Sequence, residues 1–279
     1  MMKRILVLLD PSPATKAADD VALRFAATSG ADITGLAIAD VEARAAATVP
    51  MGIGTSGLAR EAREEAIQEE ITEAHESAED FRARCSARGV IPTVLDIQAE
   101  TVPEILAESF DHDLVLVAAG TVPGEIEVED LVFELMDKGS RPVFVVGKGR
   151  GDSSPGTVVA ALDGHPQSWR SLHSFLLLVP PGMVKRLVLL SLVSGDRDEA
   201  PAHDRLERGR RIASAHGFKT EILLRSGDPA DAIQTVAAEL GADTVLLGPY
   251  SKPAIHRLFF GSVTKKLLTQ TDLSIFLDH

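Results

Sequence analysis

The chain contains 279 residues, of which 45% are hydrophobic and 25% are charged, so it is long enough for two globular domains with sizeable cores. Apolar runs such as residues 5–9 and 187–190 are far shorter than the roughly 20 residues of a membrane-spanning helix. The formal net charge of −13 argues against nucleic acid or an anionic membrane surface as the main partner.

The acidic charge is concentrated in the first half of the chain. Residues 1–150 carry 27 acidic and 14 basic side chains, whereas residues 151–279 carry 14 of each. Cys85 is the only cysteine, which rules out a disulfide within the chain and fits a reducing cytoplasm. The N-terminal stretch MMKRILVLLD is typical of a buried first strand and lacks a small-residue cleavage site, so we expect a cytoplasmic protein without a secretion signal.

Apolar runs alternate with amphipathic segments through the first half. The runs predicted as strands are KRILVLLD, ADITGLAIAD, VIPTVLDI, DLVLVAAG and RPVFVVG. A helix that ends at Gly30 follows the first run, and two more helices are expected near 103–110 and 128–138. Between the second and third runs, a polar and alanine-rich stretch, 41–56, leads into a long acidic helix over about 57–88.

The long acidic helix and the loop before it carry two patterns that suggest function. The stretch GIGTSG at 52–57 matches a dinucleotide-binding pattern, but it does not follow a strand directly, so we interpret it as a loop. Along the helix a small apolar stripe recurs every three or four residues, and glutamates cover the other faces. We interpret those glutamates as a solvated face, with a partner-binding face as the alternative.

The second half repeats the same alternation. Its predicted strands are TVVAALDG, KRLVLLSLV, FKTEILLR, DTVLLG and LSIFLDH. The helix between the first two strands begins near Pro166, the next one ends at Gly217, and the third has Asp228 as its N-cap and Pro229 at its first position. Strictly alternating strands and helices predict a parallel sheet covered by helices on both faces.

The two halves also resemble each other locally. LVLLD pairs with VAALD, DLVLV with DTVLL, and PVFVV with SIFLD. The stretch GKGRGDSSPG at 147–156 has the Gly, Ser and Pro content of a linker. We therefore predict a tandem repeat of two α/β domains, 1–148 and 157–279, each a doubly wound, five-stranded parallel sheet.

A candidate ligand site lies in the second half, because ligands of doubly wound sheets bind beyond the carboxyl ends of the strands. Gly248 ends a predicted strand without a Cβ atom, and Gly261 and Ser262 open a helix whose N–H groups would attract an anion. The loop between them contains basic side chains that would neutralise phosphate charge, namely Lys252, His256 and Arg257.

At this point the chain resembles the universal stress protein family. The spacing of Gly248, Ser251, Gly261 and Ser262 is similar to the nucleotide-binding signature of that family, with Ser251 in place of its second glycine. SGDPADAIQTVAAELGADTVLLG and VVAALDGHPQS also resemble family segments, and His165 stands where a Ser-like residue is common. Because the repeat covers essentially the whole chain, the resemblance is to family members that carry two such domains in tandem.

The resemblance implies a Rossmann-like sheet with strand order 3-2-1-4-5 in each domain and, in part of the family, ATP bound at these turns. It places Asp163 and Gly164, at the end of the first strand of the second half, near the nucleotide. Val193, at the end of the next strand, would lie near adenine. ATP, with Mg²⁺, is therefore the expected ligand of the second domain.

The first half has lost the residues of this phosphate-binding loop. Counted from the strands, Ala118 stands in the place of Gly248, and Glu129 and Asp130 stand in the place of Gly261 and Ser262. Carboxylates at a helix N-terminus suit the helix dipole and would repel phosphate, so we expect this domain to be free of nucleotide.

We expect a regulatory stress-response protein rather than an efficient enzyme. The sequence contains no G-x-S-x-G motif, no complete Walker motif and no histidines at zinc-ligand spacing. Two alternatives stay open, a nucleotide-free scaffold that acts through protein contacts and a slow ATP hydrolase. Regulatory protein partners are expected but not identified by the sequence.

The last strand of each domain is expected at the edge of its sheet, where unpaired backbone groups favour aggregation. A second copy in the same chain is available at high effective concentration. We therefore predict that the strand at 142–146 pairs antiparallel with the strand at 273–277. A homodimer of whole chains would then need another surface.

Overall fold

The computed structural model describes residues 2–12, 14–47, 56–122, 126–148, 150, 152, 155–249 and 262–279. The strands of the first half are β1 (Arg4–Leu9), β2 (Asp32–Ala39), β3 (Thr93–Gln98), β4 (Leu114–Ala118), β5 (Thr121–Val122), β6 (Ile126–Glu127) and β7 (Val143–Val146). Its helices are α1 (Thr15–Ser29), α2 (Val41–Ala47), α3 (Ser56–Ala87), α4 (Thr101–Ser109) and α5 (Val128–Lys138).

The strands of the second half are β8 (Thr157–Ala161), β9 (Arg186–Leu192), β10 (Thr220–Arg225), β11 (Thr244–Leu247) and β12 (Ser274–Leu277). Its helices are α6 (Pro166–Leu178), α7 (Asp196–Ala215), α8 (Pro229–Leu240) and α9 (Ser262–Gln270), with a short 3₁₀ turn at Pro181–Met183. Among the described helices, none combines the length and the apolarity that crossing a bilayer would require.

The long strands form one ten-stranded sheet in the order β10-β9-β8-β11-β12-β7-β4-β1-β2-β3. Within each half the five strands of this sheet are parallel and follow the order 3-2-1-4-5, as predicted. In the first half β5 and β6 form a separate antiparallel pair. Successive residues of a strand face opposite sides of a sheet, so each strand contributes to two cores. One core contains residues of α1, α3, α6 and α7, and the other contains residues of α4, α5, α8 and α9.

The two halves join where β7 pairs antiparallel with β12, which confirms the predicted pairing of the last strands. Phe144 lies opposite Phe276, and their ring centroids are 6.1 Å apart. Phe276 also meets Phe175 of the second half edge-on at 5.4 Å, while Phe144 lies 6.2 Å from Phe25 of the first half. A row of four buried aromatic rings therefore runs from one half into the other.

An aspartate at an equivalent position anchors the first strand of each half. Asp113 precedes β4 and accepts hydrogen bonds from the backbone N–H groups of Lys3 (2.6 Å) and Arg4 (3.1 Å). Asp243 precedes β11 and accepts the equivalent bonds from residues 156 and 157, at 2.9 and 2.8 Å. Since the two aspartates match, position 118 of the first half corresponds to position 248 of the second, as the sequence comparison predicts.

The stretch after β2 differs from the loop that we predicted over 41–56. Residues 41–47 form α2, because Asp40 caps that helix and its alanines favour it. The Asp40 carboxylate accepts a hydrogen bond from the N–H of Ala43 at 3.0 Å. Of the GIGTSG stretch, residues 52–55 lie outside the described residues, and its last two residues belong to α3.

The long helix α3 reaches the sheet through its C-terminal half. Ala74, Ala78, Phe81 and Cys85 are buried in the core that also contains α1. A Cβ atom on Gly35 of β2 would lie 2.6 Å from the Phe81 ring, so a strand residue without a side chain is what allows this approach. Burial raises the pKa of the Cys85 thiol to about 11, which leaves it protonated and unreactive.

Asp19 of α1 is a buried carboxylate in contact with α3. Its side chain is fully buried and touches the Arg84 guanidinium, which also pairs with Asp80 at 3.2 Å. Apart from this ion pair, neither oxygen of Asp19 has a hydrogen-bond partner among the described residues. Burial therefore outweighs the attraction of Arg84 and raises the pKa of Asp19 to about 7, with smaller raising contributions from Asp20, Asp80 and Asp10.

Because the folded state binds this proton more tightly than the unfolded chain does, the free energy of unfolding falls as the pH rises from 3.8 to about 7. The full effect is up to about 4 kcal/mol. Replacing Asp19 by Asn keeps the shape of the protonated acid. Denaturant titrations between pH 5 and pH 8 should show that the Asp19→Asn variant is more stable than the parent protein at pH 8, with a flatter pH profile.

The Asp20→Asn variant is the matched control for this experiment, because Asp20 pairs with Arg88 at 2.6 Å near the surface. Because Asp20 makes only a smaller contribution to the raised pKa of Asp19, this variant should flatten the pH profile much less than Asp19→Asn does. Parallel profiles for the parent and the Asp19→Asn variant would contradict the assignment of the pH dependence to Asp19.

The aromatic row predicts that the halves unfold together. Replacing Phe276 by Ala removes a buried ring that contacts both halves, and we expect a loss of about 3–5 kcal/mol in the free energy of unfolding. A single unfolding transition should move to lower denaturant concentration. Phe110→Ala, at a ring that is 53% exposed, should cost less than about 0.5 kcal/mol. Two separate transitions in the parent protein would refute the coupling.

Candidate functional site

The turn after β8 is shaped by a strand-end aspartate. Asp163 Oδ1 accepts hydrogen bonds from the His165 N–H at 2.9 Å and from the Ser168 hydroxyl at 2.8 Å. Between them, Gly164 adopts a φ of +92°, a conformation that favours glycine. His165 is the N-cap of α6, and Pro166 takes its first position. The residues Asp-Gly-His-Pro thus turn the chain from a buried strand into a helix.

Arg205 of α7 holds this turn from outside. Its Nε and Nη2 atoms donate to the Ser191 hydroxyl at 3.1 and 2.6 Å, and that hydroxyl donates to the Leu162 carbonyl at 2.8 Å. Its Nη1 atom lies 3.0 Å from the place that a Cβ atom on Gly164 would take. A cation therefore lies against the turn, partly shielded from solvent.

Gly248 follows β11 and lies against the first turn of α6. A Cβ atom there would stand 2.6 Å from the backbone nitrogen of Ser168 and 2.9 Å from the carbonyl carbon of Gln167. The sequence suggests that a glycine is needed here to leave room for a ligand. The structure gives a second reason for a glycine at this position. Only a residue without a side chain lets the end of β11 pass this close to the helix.

The second-strand end and the α8 N-terminus form another wall. The Val193 N–H donates to the Arg225 carbonyl at 2.8 Å, which extends the pairing of β9 and β10 by one residue. Asp228 caps α8, as predicted, and accepts from the N–H groups of Ala230 at 3.1 Å and Asp231 at 3.3 Å. The end of β9 and the start of α8 therefore lie at the same edge of the sheet.

These segments surround a cavity of about 450 Å³ at the carboxyl ends of β8, β9 and β11. Its apolar wall comes from the strands and α8, and its polar rim comes from the turns and the first turn of α9. The described lining residues are Ala161, Leu162, Asp163, His165, Leu190, Leu192, Val193, Ser194, Gly227, Pro229, Ile233, Leu247, Gly248, Pro249, Ser262, Val263 and Thr264.

The cavity brings together Asp163, Val193, Gly248 and Ser262 of the residues named from the sequence. Gly164 lies in the turn between two lining residues without lining the cavity itself. Ser251 and Gly261 lie outside the described residues, as do Lys252, His256 and Arg257. Ser262 is exposed at the first position of α9, where backbone N–H groups and the positive end of the helix dipole attract anions.

Sequence reasoning missed Ser191, Ser194, Arg205 and Ile233. Ile233 is recognisable in principle from the apolar stripe of α8, which faces the sheet. Arg205 is one of several arginines in α7, and nothing in the sequence separates it from the others. Its position depends on which turn of α7 lies over Ser191, a tertiary contact that has no local sequence signal.

The corresponding edge of the first half is shaped differently. The Asp10 turn is the same, since Asp10 accepts from the Ser12 N–H at 2.7 Å and from the Thr15 hydroxyl. Asp40, at the end of β2, ties α2 to α4 by accepting from the Thr101 N–H at 2.8 Å. The short hairpin of β5 and β6 places Ile126 in the cleft beside these residues.

The α5 helix of the first half starts with acidic residues, Glu129 and Asp130. Counted from the paired last strands, Asp130 corresponds to Ser262. An anion attracted by the helix dipole would meet two carboxylates here, which oppose its binding. The two halves thus share strand ends and turns but differ in what surrounds the cleft.

Solved structures with the same fold cover nearly the whole chain. A universal stress protein from Archaeoglobus fulgidus aligns with 98% of this chain and 97% of its own, with a TM-score of 0.69 and 16% identity. A protein of unknown function from Pseudomonas aeruginosa aligns with 99% of this chain and 92% of its own, with a TM-score of 0.61 and 15% identity. At these identities the likeness concerns the fold.

A shorter match is a universal stress protein crystallised in complex with cAMP, which covers 44% of this chain and 95% of its own, with a TM-score of 0.38 and 23% identity. No relative among curated protein sequences matches the chain. The universal stress protein family model matches twice, over residues 1–122 and 156–277. The chain therefore belongs to the universal stress protein family and carries two domains of that family in tandem.

Proposed function

We propose that this chain is a stress-response regulatory protein that binds ATP or a related adenine nucleotide in its second half. The observation that carries the proposal is the cavity itself, because Gly248 and Ser262 of the nucleotide signature line it together with Asp163 and Val193. Its volume of about 450 Å³ lies within the range of roughly 300–1,000 Å³ that is usual for small-molecule sites.

The chemistry of the walls suits the two ends of a nucleotide. Leu190, Leu192, Val193 and Ile233 give an apolar surface for a planar base. On the other side, the cavity opens on the first turn of α9, where N–H groups bind phosphate oxygens. The base would thus lie towards β9 and α8, with the phosphates towards Ser262.

Magnesium fits this site only through the nucleotide. Among the described lining residues, Asp163 is the sole carboxylate, and its oxygens already face the His165 N–H, the Ser168 hydroxyl and the His165 ring. A Mg²⁺ ion that accompanies ATP would therefore be held mainly by phosphate oxygens, since one committed carboxylate does not make a metal site.

The same observation supports a binding module in place of an efficient enzyme. Hydrolysis of ATP requires a positioned water and groups that stabilise the developing charge. Asp163, the sole carboxylate of the described lining, is already committed to the turn, and the described lining contains no lysine or arginine that would stabilise this charge. Turnover of ATP by the purified protein, measured as phosphate release, separates a slow hydrolase from a binding protein.

Analysis of any nucleotide that co-purifies with the protein distinguishes a nucleotide-binding protein from a nucleotide-free scaffold. Protein that is denatured directly after purification should release an adenine nucleotide, detected by chromatography and mass spectrometry. Absence of a bound nucleotide, together with no heat of binding on titration with ATP and Mg²⁺, would favour the scaffold and refute the proposal.

Replacing Ser262 by Asp places in the second half the residue that the first half has at the equivalent position, Asp130. We expect ATP affinity to fall about 10-fold or more, because a carboxylate then stands where phosphate oxygens bind. Stability should stay constant or rise slightly, since an acidic residue suits a helix N-terminus. Titration calorimetry and thermal unfolding measure the two effects.

The control is Ser262→Ala, which removes the hydroxyl without adding charge and should weaken binding much less. The parent protein should bind one ATP per chain. Two equivalent sites per chain would contradict the expectation that the first half is free of nucleotide. Unchanged affinity in the Ser262→Asp variant would place the phosphates elsewhere.

A further inference from the structure

One side chain at the rim of the cavity has a geometry that nucleotide binding does not require. His165 Nδ1 lies 3.2 Å from Asp163 Oδ2, and the imidazole is half exposed and lines the cavity. A carboxylate accepts a hydrogen bond and cannot donate one, so the proton of the neutral ring belongs on Nδ1. The lone pair is then on Nε2, which has no hydrogen-bond partner among the described residues.

The first half shows that the imidazole is not needed to form the turn. Asp10 and Asp163 correspond, and each accepts from the N–H two residues later and from the hydroxyl five residues later. The residue in the place of His165 is Ser12, so the same turn forms there without a ring. The imidazole is therefore an addition that occurs in the half with the open cavity.

His165 is also close to the region proposed for the phosphates. It is the N-cap of α6, and the first turn of that helix lies against Gly248. Gly248 and Ser262 line the same cavity as the imidazole. A terminal phosphate bound at the N-terminus of α9 would thus share this space with a ring nitrogen that carries a lone pair.

We propose that His165 is a phosphoryl acceptor for a nucleoside triphosphate bound in the cavity, an inference that rests on the proposed function. The Nε2 lone pair attacks the terminal phosphorus and forms a P–N bond. The bond between that phosphorus and the oxygen bridging to the next phosphate breaks, and its electron pair leaves with the nucleoside diphosphate. The proton on Nδ1 stays in place.

Asp163 acts as the positioning residue for this step. Its Oδ2 atom fixes the tautomer and the orientation of the ring, and its negative charge offsets the positive charge that develops on the imidazole as the P–N bond forms. Because the described lining supplies no second carboxylate to activate water, the phosphorylated histidine would accumulate without rapid hydrolysis. The reaction therefore labels the protein once, as a modification and not as turnover.

The test uses the full-length protein, Mg²⁺ and ATP labelled at the terminal phosphate, at ATP concentrations that saturate each variant by calorimetry. Label on the protein should approach one per chain and should be lost in acid but retained in base, as expected for a P–N bond. His165→Ser, which copies the turn of the first half, should lower the label at least about 20-fold.

Two further variants separate chemistry from packing. His173→Gln changes an exposed histidine of the same helix that does not line the cavity, and it should keep the label of the parent protein. Asp163→Asn retains an oxygen for the turn but loses the negative charge. It should reduce both the initial rate of labelling and the final amount of label. The fold-reduction of the rate should be about 10 times larger than that of the final amount.

The outcomes distinguish this inference from the proposed function. ATP binding without label, label that survives acid, or label retained by the His165→Ser variant would each overturn the phosphoryl acceptor and leave the nucleotide site standing. If the parent protein neither binds ATP nor takes up label, the proposed function fails and this inference fails with it.

Discussion

The antiparallel pairing of β7 with β12 is the interaction on which the rest of the molecule depends. Each of these strands would otherwise expose unpaired N–H and C=O groups at the edge of a five-stranded sheet. Pairing them satisfies both edges and places Phe144 against Phe276. Because each of these rings also touches a ring of its own half, the core on this face of the sheet runs continuously from one half into the other. The outer edges, β3 and β10, are left to partly exposed strands with charged residues.

The shared frame fixes where a site can form, and the segments around it decide whether one does. In both halves an aspartate turn follows the first strand, at Asp10 and Asp163. In the first half Asp40 accepts hydrogen bonds from the first turns of α2 and α4 at the end of β2, and the β5–β6 hairpin places Ile126 in the cleft. In the second half the same edge has small residues, and a cavity stays open. The difference between the halves is therefore local and does not involve the sheet.

The sequence predicts the frame well, because the frame depends on signals that are local or repeated. Buried strands appear as apolar runs, Asp228 and Pro229 mark the start of α8, and Gly30 ends α1 in a left-handed conformation. It predicts less of the site, since contacts across the sheet decide that part. Arg205 against the Gly164 turn has no sequence signal, and neither does the approach of Gly248 to α6. The α2 helix was missed because its cap, Asp40, reads equally well as the end of a strand.

The distribution of charge between the halves agrees with the proposed division of roles. Position 19 of the first half and position 172 of the second both lie nine residues after the strand-end aspartate. The first has Asp19 beside Arg84, whereas the second has Leu172 near Gly209, so the apolar solution fits this frame equally well. The first half, for which no anionic ligand is proposed, carries the whole net charge of −13. The proposed phosphate site lies in the half with no net charge, and exposed charges of the other half are screened over about 8–10 Å at physiological salt.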